Sequence, residues 1–85
     1  MIDIEVLRRV SDTLVARKNA SPDSSYVSSL YTQGTDAICK KVIEEAGETI
    51  MAAKDRDLRH IVGEVTDLWF HSLVLLAYHG LSIED

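Results

Sequence analysis

Residues 69–77 read Trp-Phe-His-Ser-Leu-Val-Leu-Leu-Ala, and they limit the fold more than any other stretch of the chain. They continue a helical pattern that begins near Asp57 or Leu58 and ends before Gly80, a residue suited to the left-handed turn that closes a helix. Wound as a helix, Trp69, Phe70, Leu73, Val74, Leu75, Leu76 and Ala77 leave almost no polar side. In a soluble protein such a helix must be covered all round. The chain has 85 residues, too few to build that cover alone. A domain of this size buries little more than about 60% of its unfolded surface. The expectation is one all-α domain over residues 1–85, a helical bundle completed by homodimerisation.

The other helices follow from caps and spacing. Asp3 is placed to cap a first helix running to about Arg17, with Ile4, Leu7, Val10 (or Ser11) and Leu14 on one stripe. Residues 19–24 form a loop around the single proline, Pro22. Ser25 then caps a short helix in which Val27, Leu30 and Tyr31 share a face; a brief strand over 25–31 fits almost as well. Gly34 ends that piece. Thr35 or Asp36 is expected to cap a long helix to about Ala53, and Lys54-Asp55-Arg56-Asp57 to join it to the last helix in a short antiparallel turn.

On the long helix, with Glu45 at zero and about 100° per residue, the apolar side chains Ile38, Val42, Ala53, Ala46, Cys39, Ile50 and Ile43 span about 20° to 160°. Glu45 stands at the edge of that arc and Glu48 about 60° outside it. On the last helix Glu64 and Asp67 border a second apolar arc in the same way. Each pair is two carboxylates at i and i+3, neighbours on a helix surface, and like charges at that spacing cost stability. Two such helices face to face gather four oxygen donors beside a core. All-oxygen ligation favours Mg²⁺, Mn²⁺ or Ca²⁺ over zinc, and Mg²⁺ combines a few carboxylates with water and substrate phosphates. Phosphoryl-group hydrolysis is the chemistry that fits. Lys40 and Lys41, one turn earlier, are placed to reach phosphate oxygens.

Composition narrows the partners. The net charge of −5, from 14 acids against 9 bases, opposes nucleic-acid binding and an anionic membrane surface. A single cysteine, Cys39, fits a reducing compartment. No charged-then-apolar leader opens the chain and no run of eighteen apolar residues occurs, so a soluble cytoplasmic protein is expected.

Glu-Glu-x-x-Glu followed after fifteen residues by Glu-x-x-Asp resembles the motif of the all-α nucleoside triphosphate pyrophosphohydrolases, the MazG-like group. Ser25-Tyr26, Lys40-Lys41-Val42-Ile43-Glu44-Glu45-Ala46, Ala52-Ala53-Lys54-Asp55 and Glu64-Val65-x-Asp67-Leu68-Trp69-Phe70-His71 are similar, more narrowly, to the phosphoribosyl-ATP pyrophosphohydrolase family of histidine biosynthesis. The similarity runs from about residue 21 to 81. It implies hydrolysis of the α–β bond of phosphoribosyl-ATP to phosphoribosyl-AMP and pyrophosphate, with Mg²⁺ (Mn²⁺ as a substitute), by a helical homodimer. It implies Glu45, Glu48, Glu64 and Asp67 as metal ligands, with Glu44 beside Glu45 in the chemistry as a positioner of water. Gly47 departs from the family, where threonine or a similar residue is usual, and glycine within a helix costs about 1 kcal/mol relative to alanine.

Plainer readings stand beside these. Lys40 and Lys41 fit ion pairs with Glu44 and Glu45 four residues on. His60 and His71 share the acidic face; they fit a mixed zinc or iron site, or else hydrogen bonds that orient the ligands. His71, with Tyr26, is read as support from behind, while substrate contact and loop closure fit Tyr26 and Ser25 equally well. Cys39 is read as a small core residue and Trp69 as packing. Two rival functions remain: a pyrophosphohydrolase for other (deoxy)nucleoside triphosphates, and a non-catalytic helical dimerisation module.

Overall fold

The computed structural model describes residues 3–85, and they form an all-α domain without strands. Helix α1 spans Ile4–Ala16, α2 Tyr26–Gln33, α3 Thr35–Lys54 and α4 Leu58–Tyr78, with a 3-10 turn, Arg17–Asn19, after α1.

Local chemistry explains the boundaries. Asp3 caps α1 by accepting the Glu5 N–H at 2.9 Å, and Ser25 caps α2 by accepting the Ser28 N–H at 3.2 Å. The helical alternative for residues 25–31 therefore holds over the strand. The expected cap of α3 does not. Thr35 is already helical, and its hydroxyl meets His79 Nε2 at 3.3 Å instead. One residue, Gly34, separates α2 from α3 and serves both ends, with no room for a side-chain cap. Its φ of +95° is the reason it must be glycine. Arg56 takes φ +57° to reverse the chain between α3 and α4, and Asp57 caps α4 by accepting the His60 N–H. At the far end Gly80 (φ +76°) completes a left-handed closure: Leu81 N–H donates to Leu76 O at 2.9 Å and Gly80 N–H to Ala77 O at 3.1 Å.

The core is made by Leu14 of α1, Val27 and Leu30 of α2, Ile38 of α3, and Leu73, Val74 and Ala77 of α4. Tyr31 donates its hydroxyl to Leu14 O at 2.7 Å and stacks on Tyr78. Ile83 N–H reaches the buried Ser11 hydroxyl and Glu84 pairs with Arg8, laying the C-terminal residues against α1.

The apolar arcs are covered over only part of their width. On α3 the face is centred on Ile38 and Ala52, while Ile43 (73% exposed), Ile50 and Met51 stand in solvent. On α4, Leu58, Val62 and Trp69 are exposed, whereas residues 70–77 are buried or half-buried within one chain, more fully covered than the all-round apolar pattern predicts. Ile4 likewise falls outside the core, and Cys39 is half-buried. Helix α4 is long and apolar enough to cross a bilayer by length and composition. Glu64, Asp67 and His71 interrupt it with a polar stripe.

Candidate active site

Helices α3 and α4 form the hairpin that carries the acids. Glu45 lies about two turns beyond the core residue Ile38 and is itself buried, 6% exposed. Glu48 follows one turn later at the surface. Across the hairpin Glu64 is half-buried, and one carboxylate oxygen from each of Glu45, Glu48 and Glu64 lies within 4.8 Å of the others. Asp67 is exposed on the next turn of α4 and stands outside this trio; its main-chain oxygen accepts a hydrogen bond from His71.

The trio is electrostatically uncomfortable. Glu64's carboxyl is held above its ordinary range, first by a hydrogen bond with Glu48, then by burial and by the Glu48 charge, with His60's hydrogen bond opposing. Its Oε1 meets His60 Nε2 at 3.1 Å, whereas its Oε2 is buried and finds no partner. A buried carboxylate oxygen without a partner is costly, and a cation removes the cost.

Lys41, not Lys40, reaches the acids. Its Nζ is 3.3 Å from Glu44 Oε2 and 3.6 Å from Glu45 Oε1, and the hydrogen bond to Glu44 raises its pKa. Lys40 is exposed and forms no ion pair among the described residues. The pairing expected for Lys41 is thus present, while that expected for Lys40 is not. His60 serves Glu64. His71, also buried, sits behind Glu45 with its Nδ1 4.0 Å from Glu45 Oε1. Tyr26, at the start of α2, closes the group by pairing with His71 Nε2 at 2.8 Å. Burial raises the Tyr26 phenol pKa, Lys41 opposes, and Glu45, Glu44 and Asp67 add to the rise, so the hydroxyl keeps its proton. Nothing in local spacing joins residues 45 positions apart, so the Tyr26–His71 bond was beyond sequence reading.

Beside the acids is an open recess of about 580 Å³ walled by Ile43, Glu44, Gly47, Glu48, Met51 and His60. A separate groove of about 520 Å³ along α1, lined by Val10, Leu14, Val27 and Phe70 with Arg9 and Arg17, has no carboxylate in its lining.

An α-helical hairpin with three convergent carboxylates and an adjoining lysine has the donor set of the all-α hydrolases that work on phosphate chains with a divalent cation. The family model for phosphoribosyl-ATP pyrophosphohydrolase matches residues 7–85. The chain is 75% identical over its whole length to the phosphoribosyl-ATP pyrophosphatase of Azoarcus sp. (strain BH72), covering 79% of that protein. It is 62% identical over 95% of its length to the protein of that name from Chromobacterium violaceum, and 54% identical over 94% to that of Neisseria gonorrhoeae; each time 75% of the relative is covered. The chain belongs to the phosphoribosyl-ATP pyrophosphohydrolase family and is a hydrolase. The family implies a divalent metal cation, and the acidic trio with the unpartnered Glu64 oxygen fits one.

Proposed function

We propose that the protein hydrolyses the α–β phosphoanhydride of phosphoribosyl-ATP, giving phosphoribosyl-AMP and pyrophosphate in histidine biosynthesis, with Mg²⁺ as its cation and Mn²⁺ as a substitute. The observation that carries this reading is the convergence of Glu45, Glu48 and Glu64, with one buried oxygen left unpaired. Glu45, Glu48 and Glu64 would hold the ion, and Asp67, one turn along α4, would complete the set through bound water or a rotamer change. The cation supplies charge neutralisation on the phosphate chain and a more acidic water.

The chain's own residues do the rest. Glu44 is exposed next to the buried Glu45, where its carboxylate can take a proton from attacking water. Lys41 is held at the mouth by Glu44 and Glu45, and a polyphosphate competes with those acids for its ammonium group. Lys40, exposed and unpaired in the described structure, adds a second cation near the path of the substrate.

The working form is a homodimer. Ile43, Ile50 and Met51 on α3 and Leu58, Val62 and Trp69 on α4 are each more than half exposed in one chain. A second copy is the cover proposed for this exposed apolar edge. The setting is the cytoplasm, without nucleic-acid or membrane partners, as the acidic net charge favours.

The deciding experiment is product analysis with phosphoribosyl-ATP, ATP and a panel of deoxynucleotides in the presence of Mg²⁺. Preferential release of pyrophosphate from phosphoribosyl-ATP is the expected outcome. Faster turnover of an ordinary or damaged triphosphate would assign the broader pyrophosphohydrolase role, and turnover of none would leave a dimerisation module.

A further inference from the structure

His71 is buried, and both its ring nitrogens are assigned by their neighbours. Nδ1 lies 2.9 Å from the main-chain oxygen of Asp67, an atom that can only accept, so Nδ1 carries the hydrogen. Nε2 of the neutral ring is then a bare acceptor, and the Tyr26 hydroxyl at 2.8 Å is its donor. The same Nδ1–H edge faces Glu45 Oε1 at 4.0 Å. The opposite tautomer would turn a lone pair toward both the Asp67 carbonyl and the Glu45 carboxylate. Lys41 Nζ stands 3.6 Å from that Glu45 oxygen, so two neighbours compete to set the carboxylate's position.

We infer that Tyr26 is a positioning residue for the hydrolysis: its hydroxyl holds the Nδ1–H form of His71, and that imidazole turns the positive edge of its ring toward Glu45 across 4.0 Å, a polar contact longer than a hydrogen bond. The inference rests on the reading of Glu45 as a metal ligand. Partners hydrogen-bonded directly to a ligand are worth about 10- to 100-fold in metal affinity or activity, and the longer 4.0 Å contact here sets the expectation at the low end of that range. Tyr26 is 52% exposed, so its rival role is direct contact with the substrate, and the two roles separate in measurement.

The test uses the full chain, ¹⁵N-labelled, with Tyr26→Phe, His71→Asn and the double variant. Asparagine keeps a donor near the Nδ1 position for the Asp67 carbonyl while ending short of Tyr26. In the metal-free wild type at neutral pH, the ring-nitrogen resonances of His71 should report Nδ1–H, with no variant required. By calorimetry Tyr26→Phe should weaken Mn²⁺ binding about tenfold. Its KM for phosphoribosyl-ATP at saturating metal should stay within about twofold, the margin expected when a residue acts through the ligand set rather than on substrate. In the His71→Asn background the Tyr26→Phe change should add nothing to the loss of Mn²⁺ affinity, because the two act as one unit. An Nε2–H tautomer of the neutral His71 ring in the wild type overturns the inference. So does unchanged Mn²⁺ affinity with a raised KM in Tyr26→Phe, or an additive double variant. Failure of the wild type to bind Mn²⁺ overturns the ligand reading and this inference with it. Failure to hydrolyse phosphoribosyl-ATP with Mn²⁺ coupling intact overturns the substrate alone.

Discussion

Replacing Gly47 by alanine tests the geometry of α3 beside the acids. Gly47 is inside the helix Thr35–Lys54, exposed, and an added Cβ would meet nothing within 4 Å. The substitution therefore removes backbone freedom from the unfolded chain at no steric cost to a single folded chain. A helix-interior glycine is about 1 kcal/mol worse than alanine, and that is the expected gain. Unfolding entropy near 60 °C is about 2.1 cal/mol/K per residue, so 85 residues give about 0.18 kcal/mol/K. The gain should raise Tm by about 5 °C. The assay is a pair of thermal melts in EDTA at one protein concentration, because a dimer's Tm depends on concentration. Mn²⁺ affinity should not change, since the added methyl meets no carboxylate oxygen of Glu45 or Glu64 within 4 Å. A lower Tm for Gly47→Ala would refute the reasoning: it would mean that another surface, such as a second copy, already fills the space beside this glycine.

Glu45→Gln should abolish turnover by orders of magnitude with helicity retained, as circular dichroism and a rate assay will show; wild-type rates would remove Glu45 from the ligand set. Asp67→Asn should cost less than Glu45→Gln, because Asp67 lies outside the converging trio, and a metal titration ranks the two. Lys41→Ala should raise KM for the substrate several-fold, and an unchanged KM would leave the lysine with its ion pairs alone. Glu64's raised pKa gives a pH dependence whose sign is fixed: the unfolded chain loses this proton first, so the group's penalty is absent below the ordinary carboxylate range and complete above the raised value. Metal-free protein should thus lose this part of its stability as pH rises through the acidic range, and Mg²⁺ should restore it; melts in EDTA showing a gain specific to ionised Glu64, absent in Glu64→Gln, would reverse the assignment.

The boundaries of the helices were legible because each is written in a local residue: Asp3, Ser25, Asp57 and Gly80 each act within one turn of themselves. Thr35 failed for the same local reason reversed, since the one-residue joint at Gly34 is a tertiary constraint that capping preference cannot register. The acid pairs at i and i+3 placed Glu45, Glu48 and Glu64 correctly on facing edges, because helical period alone carries that information. What the period cannot supply is the rotation and depth of one helix against another. That is why Asp67 lands outside the trio although its spacing from Glu64 copies that of Glu48 from Glu45. It is also why Lys41 takes both acids and Lys40 neither: the two lysines are about 100° apart on the wheel, and the hairpin turns only one of them toward Glu45.

The exposed apolar edge and the acids share one helix face, and that has an energetic consequence. Ile43, Gly47 and Met51 wall the same recess as Glu44, Glu48 and His60. In one chain this recess is open, so Glu48 is hydrated and its repulsion of Glu45 and Glu64 is screened. A second copy that covers the apolar edge also takes water from Glu48, and the lower local dielectric strengthens both the mutual repulsion of the empty acids and their attraction for a cation. Dimerisation and metal binding on the proposed reading are therefore linked with a definite sign: metal strengthens the dimer, and the dimer binds metal more tightly. The apolar edge left exposed in one chain and the acids that are too crowded without metal then have a common resolution, because the contact that buries the first also sharpens the site made by the second.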